Sequence, residues 1–391
     1  MFLEFAWNAW EKRKVSDYLC ESRIPGSNGL KAKKLTVKLW GKGVVPKNET
    51  YSGSIKTKYY VRSANQLIYG KLDFLHAAFG IVPQSLDGWE STIDSPAFDV
   101  NTSIGNAAFL LALFLRPNFY LREGIRANGS RKAKRIHEDT FLSMSISAPQ
   151  RKEQDQIAVV LDKTELLIAA TQDKIDAFEQ IKKAFLQHLF DQSWRFGEYS
   201  ELWTSHLLGE ITSKVTEKNT ENLYHETFTN SAKYGIVEQQ SFFDKLISNE
   251  ANLTNYYVVR ENDFVYNPRI SNLAPVGPVR RNKLNRTGVM SPLYYVFKAT
   301  NAAYPMFLEY FFKGESWYRF MYLNGDTGAR SDRFAIKDKV FEQMPVKLPE
   351  ESEQKKIGAL LQNLETVINQ TQERLQKIRT IKDSLLKSLF V

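Results

Sequence analysis

The sequence predicts an α+β protein in which one architectural unit occurs twice, and three observations point to it. A segment of 42 residues, Pro149 to Phe190, recurs without a gap 200 residues later as Pro349 to Phe390. Both copies carry apolar residues at helical spacing. The stretches ahead of each copy contain short runs of β-branched and aromatic residues between Asn, Pro and Gly turns, which is the pattern of strands. At 391 residues and 43% hydrophobic content the chain can build more than one core.

The first globular segment, 1–147, accounts for most of the charge. The whole chain carries a formal +9, and residues 1–150 alone carry +8, from 21 Lys and Arg against 13 Asp and Glu. Such a balance implies a polyanionic partner. Lys31, Lys33, Lys34, Lys38, Lys42 and Lys47 fall in a stretch with no acidic residue, where Lys38 abuts Leu39 and Trp40. Asn128 to Arg135 brings Arg131, Lys132, Lys134 and Arg135 beside Gly129 and Ser130, a basic loop able to lie along a phosphate backbone. The opening Met1 to Trp10 has acidic Glu4, lacks a basic leading region and does not read as a secretory signal. The longest apolar run, Ala107 to Leu115, is too short to cross a bilayer. A single cysteine, Cys20, allows neither an internal disulfide nor a cysteine zinc site and favours the reducing cytoplasm.

The next segment, 148–190, reads as helix because Pro149 opens it and no later Pro or Gly interrupts it. Its seam is Leu161, Thr164, Ile168, Thr171, Ile175 and Phe178. The matching seam of 348–391 is Leu361, Leu364, Ile368, Thr371, Leu375 and Ile378, stepping alternately by three and four as in a coiled coil. Two amphipathic helices packed on their own domains would satisfy this pattern. Two copies of one seam more simply imply that they pack on each other. Asp162 to Glu165 and Gln362 to Glu365 are expected as turns that separate a short leading helix from a long one. Lys163 to Phe190, 28 residues, would then span about 42 Å, a little more than the roughly 34 to 36 Å of one B-DNA turn.

The second globular segment, 191–347, echoes the first. Trp10 matches Trp203; Tyr59, Tyr60, Val61 and Tyr69 match Tyr256, Tyr257, Val258 and Tyr266; Phe141 matches Phe341. Strands are expected over Tyr256 to Val259, Phe264 to Tyr266 and Leu293 to Phe297. Arg280, Arg281, Lys283 and Arg286 form a second cluster with no acid between them in sequence, and Gly325 to Arg333 adds Arg330 and Arg333. Arginine is the residue type best suited to guanine edges, lysine to phosphate.

No catalytic apparatus is legible. The five histidines are scattered with no pair at i, i+4, no metal site is expected, and no G-x-x-x-x-G-K-[ST] phosphate loop occurs. No Asn or Asp is followed by two prolines and an aromatic residue, as an adenine methyltransferase requires; Asn267-Pro268-Arg269 is the nearest approach.

Together these motifs resemble the specificity subunit of type I restriction-modification systems, over the full length of the chain. Each helix opens with a proline and a Glu-Gln pair, Glu153-Gln154 and Glu353-Gln354, and closes on Leu189-Phe190 or Leu389-Phe390. Trp10-Glu11-Lys12-Arg13-Lys14, Asp263 to Asn267, Ser291-Pro292-Leu293-Tyr294 and Gly328 to Phe334 are also similar. The resemblance implies two target-recognition domains and two long helices that form an antiparallel coiled coil with approximate two-fold symmetry. It further implies that the chain reads a bipartite site on double-stranded DNA without being an enzyme. Two modification subunits and the restriction subunits would be its partners, and S-adenosylmethionine would belong to those partners, with no cofactor in this chain. The rival reading is a coiled-coil interaction scaffold that does not read sequence; a fused methyltransferase is disfavoured by the missing motifs.

Overall fold

The computed structural model describes residues 10–48, 54–126, 134–243, 250–327 and 332–390. Two compact units emerge: residues 1–169 with 377–391, and residues 170–376. Each takes in part of both long helices, Arg151–Phe190 and Glu351–Leu389.

In the first unit Glu11–Lys14 pairs antiparallel with Ser145–Ala148, and a helical turn, Val15–Tyr18, leads into an antiparallel sheet. Its strand order is Leu19–Ser22, Ala97–Val100, Leu67–Tyr69, Phe79–Ile81. Helices Ala107–Phe114 and Pro117–Gly124 cover it. The apolar run once measured against a bilayer is thus a core helix, with Phe109, Leu110 and Phe114 fully buried. No helix among the described residues is long and apolar enough to cross a membrane.

The second unit repeats this plan. Thr204–Leu207 pairs with Pro345–Leu348, the turn Leu208–Ile211 follows, and the sheet runs Thr212–Lys214, Tyr295–Ala299, Phe264–Tyr266, Val279–Arg281. Even the entry bond is repeated: Val15 donates to the Met144 carbonyl and Leu208 to that of Met344, both at 2.8 Å. Strands at Tyr257–Val259 and Phe264–Tyr266 fall where the sequence predicts them. The third begins at Tyr295 instead of Leu293, because Pro292 to Tyr294 form a turn that leaves Leu293 exposed.

The repeated Glu-Gln pair has a mechanical role. Gln154 accepts from the Asn106 backbone (2.9 Å) and donates to the Ile104 and Pro149 carbonyls; Gln354 does the same with Tyr304 (2.7 Å), Ala302 and Pro349. One buried amide thereby ties the loop before each covering helix to the start of each long helix. Glu353 accepts from Arg195 (2.7 Å) and from the Trp203 indole (3.3 Å). The closing Leu-Phe has a role too. Phe190 packs at 5.1 Å on Phe307, inside the second unit, whereas Phe390 stacks at 5.3 Å on Phe109, inside the first.

The turns expected at Asp162 to Glu165 and Gln362 to Glu365 are absent; both helices are continuous, over 40 and 39 residues. Asp162, Lys163 and Glu165 are solvent-facing helix positions, with Glu165 held by an ion pair with Lys382, whereas Glu365 is half-buried and accepts from Tyr310 and Lys313. The leading turns pack on the globular layers, Ile157 and Leu161 in the first unit and Ile357 and Leu361 in the second. Beyond them every seam residue is buried or half-buried: Ile168, Thr171, Ile175 and Phe178, and Leu364, Ile368, Thr371, Leu375 and Ile378.

One glycine is required by its surroundings. Gly277 has φ +84°, and a Cβ there would collide with the Asn267 carbonyl oxygen in the connection before Val279–Arg281. Gly277→Ala is expected to destabilise the second unit by more than about 1 kcal/mol, visible as a lower denaturant midpoint; an unchanged midpoint would refute the steric argument.

Candidate nucleic-acid interface

The lysine-rich stretch of the first unit folds as a hairpin, Leu35–Val37 against Val44–Pro46. Leu35, Val37 and Val44 alternate inward onto Ile68, Ala78, Val82 and Leu86, and this fixes the opposite faces outward. Lys31, Lys33, Lys38, Lys42 and Lys47 are exposed; Lys34 is half-buried, its amine 5.7 Å from the centre of the Tyr59 ring. The tip turns through Trp40, Gly41 and Gly43, all at positive φ (60°, 66° and 85°). Trp40 donates to the His76 carbonyl (2.8 Å) and Gly41 to that of Ala77 (2.9 Å), so the tip is pinned to the body of the unit.

In the second predicted patch, Arg131 and Lys132 lie outside the described residues. Lys134 is exposed, while Arg135 is half-buried with its Nε 3.3 Å from Asp94.

The cluster Arg280 to Arg286 looks different in space than in sequence. Arg280 donates to the Ala232 carbonyl (2.8 Å) and that of Val279 (3.0 Å), and burial lowers its pKa. Arg281 donates to Glu309 (2.8 Å) and Asn262 (2.6 Å). Lys283 reaches Glu309 at 3.3 Å, and Arg286 is held by Glu226 at 2.8 Å. Glu309 is buried, and Lys313 binds both it and Glu365 at 2.9 Å. These cations are therefore committed to carboxylates or carbonyls that sequence proximity did not show.

Arg330 lies outside the described residues. Arg333 is exposed and stands opposite Arg269 in an antiparallel bridge, flanked by bonds from Ile270 to the Asp332 carbonyl (3.0 Å) and from Phe334 to that of Pro268 (2.7 Å). Neither arginine has an ion-pair partner among the described residues. Like charges directly opposite on a ribbon repel, so this pair favours an anion between them. Arg269 was missed as a candidate because its partner is 64 positions away. The only signal near it was the Asn267-Pro268 dipeptide.

Of the cations singled out in the sequence, those left exposed and without an ion-pair partner among the described residues are Lys31, Lys33, Lys38, Lys42 and Lys134 in the first unit and Arg333 in the second, to which the structure adds Arg269. Among the described residues no group of three or more His, Cys, Asp or Glu is arranged to hold a metal ion.

No protein-family model matches the sequence, and no curated protein matches it significantly. Solved structures do. The S subunit of the type I restriction-modification system from M. genitalium superposes with a TM-score of 0.57 at 13% identity, over 100% of this chain and 98% of that one. This chain shares that S-subunit fold. A second match, from a structure concerned with complex assembly and conformational transition of the type I R-M system, has a TM-score of 0.51 at 15% identity, covering 98% and 97% of the two chains.

Proposed function

We propose that the chain is the DNA-specificity subunit of a type I restriction-modification complex. The observation that carries this reading is the duplication: two units of one sheet order, each with its own exposed, unpaired basic surface, joined through two long helices. Residues 1–147 and 191–347 act as the two target-recognition domains, each reading one half of a split sequence. The buried seams of the helices pair as an antiparallel coiled coil that fixes the distance between the readers. The chain is not an enzyme: two modification subunits bind along it, carry S-adenosylmethionine and methylate adenine after flipping it from the duplex, and restriction subunits join the larger assembly.

Mapping methylated adenines in the host genome with and without this gene tests the reading. Methylation at one bipartite motif is expected to disappear with the gene. An unchanged methylation pattern would leave only the scaffold reading. Inserting seven residues into each long helix, after Gln172 and after Gln372, is expected to lengthen the unread spacer while leaving both half-sites unchanged; the same spacer in the remapped motif would refute the ruler role.

A further inference from the structure

The tip of the lysine hairpin carries a feature that charge alone does not explain. Leu39 and Trp40 are large and apolar, yet 39% and 56% exposed, and they sit between exposed Lys38 and Lys42. Positive-φ positions in a hairpin tip ordinarily take Asn, Asp or Gly, because a side chain as bulky as Trp is rarely tolerated there. Here the Trp40 backbone is held at φ 60°, and its indole meets the His76 ring edge-on at 5.6 Å. Its position is fixed from below by the backbone bonds to His76 and Ala77, and Gly41, at φ +66°, lies directly against the Leu115 side chain. A strained, pinned, exposed aromatic on an acid-free basic hairpin is suited to a surface that is both anionic and stacked from flat apolar rings.

We propose that Leu39 and Trp40 form a wedge that enters a groove of the DNA and partly unstacks one base step beside the half-site read by the first unit. Lys38 and Lys42 hold the flanking phosphates while the wedge is seated. Through it the first unit selects DNA by how readily a step opens, and so prefers a flexible pyrimidine–purine step at that point. This inference rests on the DNA-reading function above and deepens it.

The test uses the chain assembled with its modification partners on a duplex bearing the mapped target, with 2-aminopurine substituted at successive positions in and beside the first half-site. Binding of the unaltered protein should raise the fluorescence several-fold at one step other than the target adenine, where base flipping by the partners gives a rise of its own. Trp40→Gly, which keeps the backbone angle at no steric cost, should abolish that rise and weaken binding roughly 10-fold or more, the scale of one lost stacking contact. Leu39→Ser, a second variant that leaves the turn intact, should reduce the rise. The salt dependence of binding should stay the same in both, because the lysines remain. An equal rise and equal affinity in Trp40→Gly would overturn the wedge while leaving DNA reading in place. Failure of the unaltered assembly to bind the duplex would instead overturn DNA reading and the wedge with it. A Trp40-dependent emission shift on anionic phospholipid vesicles but not on DNA would make the tip a membrane contact and refute the proposal.

Discussion

Glu309→Ala is expected to destabilise the second unit by about 3 to 5 kcal/mol, the range for removing one partner of a buried ion network. The carboxylate is almost wholly buried, between Arg281 at 2.7 Å, Lys313 at 2.9 Å and Lys283 at 3.3 Å. Its loss would leave Arg281 and Lys313, both largely buried themselves, with less negative charge than positive. Burial is the largest single influence on this carboxyl and acts to raise its pKa, but Lys313, Arg281 and Lys283 together outweigh it and hold the value down to about 2. A depressed carboxylate pKa fixes the sign of the pH dependence. The network's contribution is fully present above about pH 4.5, the ordinary range of a free glutamate, and is lost as pH falls toward 2. Protection factors along Pro305–Lys313, taken relative to the intrinsic exchange rate at each pH, should therefore fall between pH 5 and pH 3 in the native protein. In Glu309→Ala they should be low at both. Equal protection in the two proteins at pH 6 would show that the network does not hold the helix.

Replacing Lys31, Lys33, Lys38 and Lys42 together by Ala is expected to lower DNA affinity on the order of 100-fold or more near 0.1 M salt. These side chains are exposed and make no ion pair among the described residues, so the fold should tolerate the change. The reasoning is counterion release: each phosphate contact contributes about 0.9 to the slope of log K against log salt, so the slope should fall by up to about 3.6. Replacing Arg269 and Arg333 should lower it by no more than about 1.8. Binding titrations over a range of salt concentrations distinguish the two. Equal slopes for both variants would contradict the assignment of most electrostatic contact to the first unit. The imbalance is already present in the +8 of residues 1–150, and the structure sharpens it by neutralising much of the cationic cluster of the second unit.

What the sequence made legible is what duplication preserves. Gln154 and Gln354, Phe190 and Phe390 stand 200 positions apart because each pair does the same packing or tethering job in a repeated unit. Helix seams were legible for the same reason, since burial on one face leaves a period. Helix continuity through Asp162 to Glu165 was not, because a cluster of polar residues reads alike as a turn and as a solvent-facing helical turn. Nor was the state of the basic clusters. Arg281 and Lys283 find Glu309 at sequence separations of 28 and 26, and no local window contains both sides of such a pair. The Arg269 and Arg333 ribbon and the angle of Trp40 likewise arise from tertiary pairing. Composition therefore located a basic character suited to a polyanion, while only geometry separated cations that brace the fold from cations left without a partner.

The destination of the two terminal phenylalanines bears on how the protein is made. The core of the first unit, with Trp10 and Phe109, is closed by Phe390, and residues 377–391 belong to that unit. On the ribosome those residues emerge more than 200 positions after Ala169, which at roughly 5 to 20 residues per second is a delay of about 10 to 40 s. Through that interval the first unit must exist with an aromatic-lined gap on its surface, and the second unit, whose residues 170–376 are contiguous, can complete itself first. The first unit, begun before the second, is completed only by residues made after the second is whole.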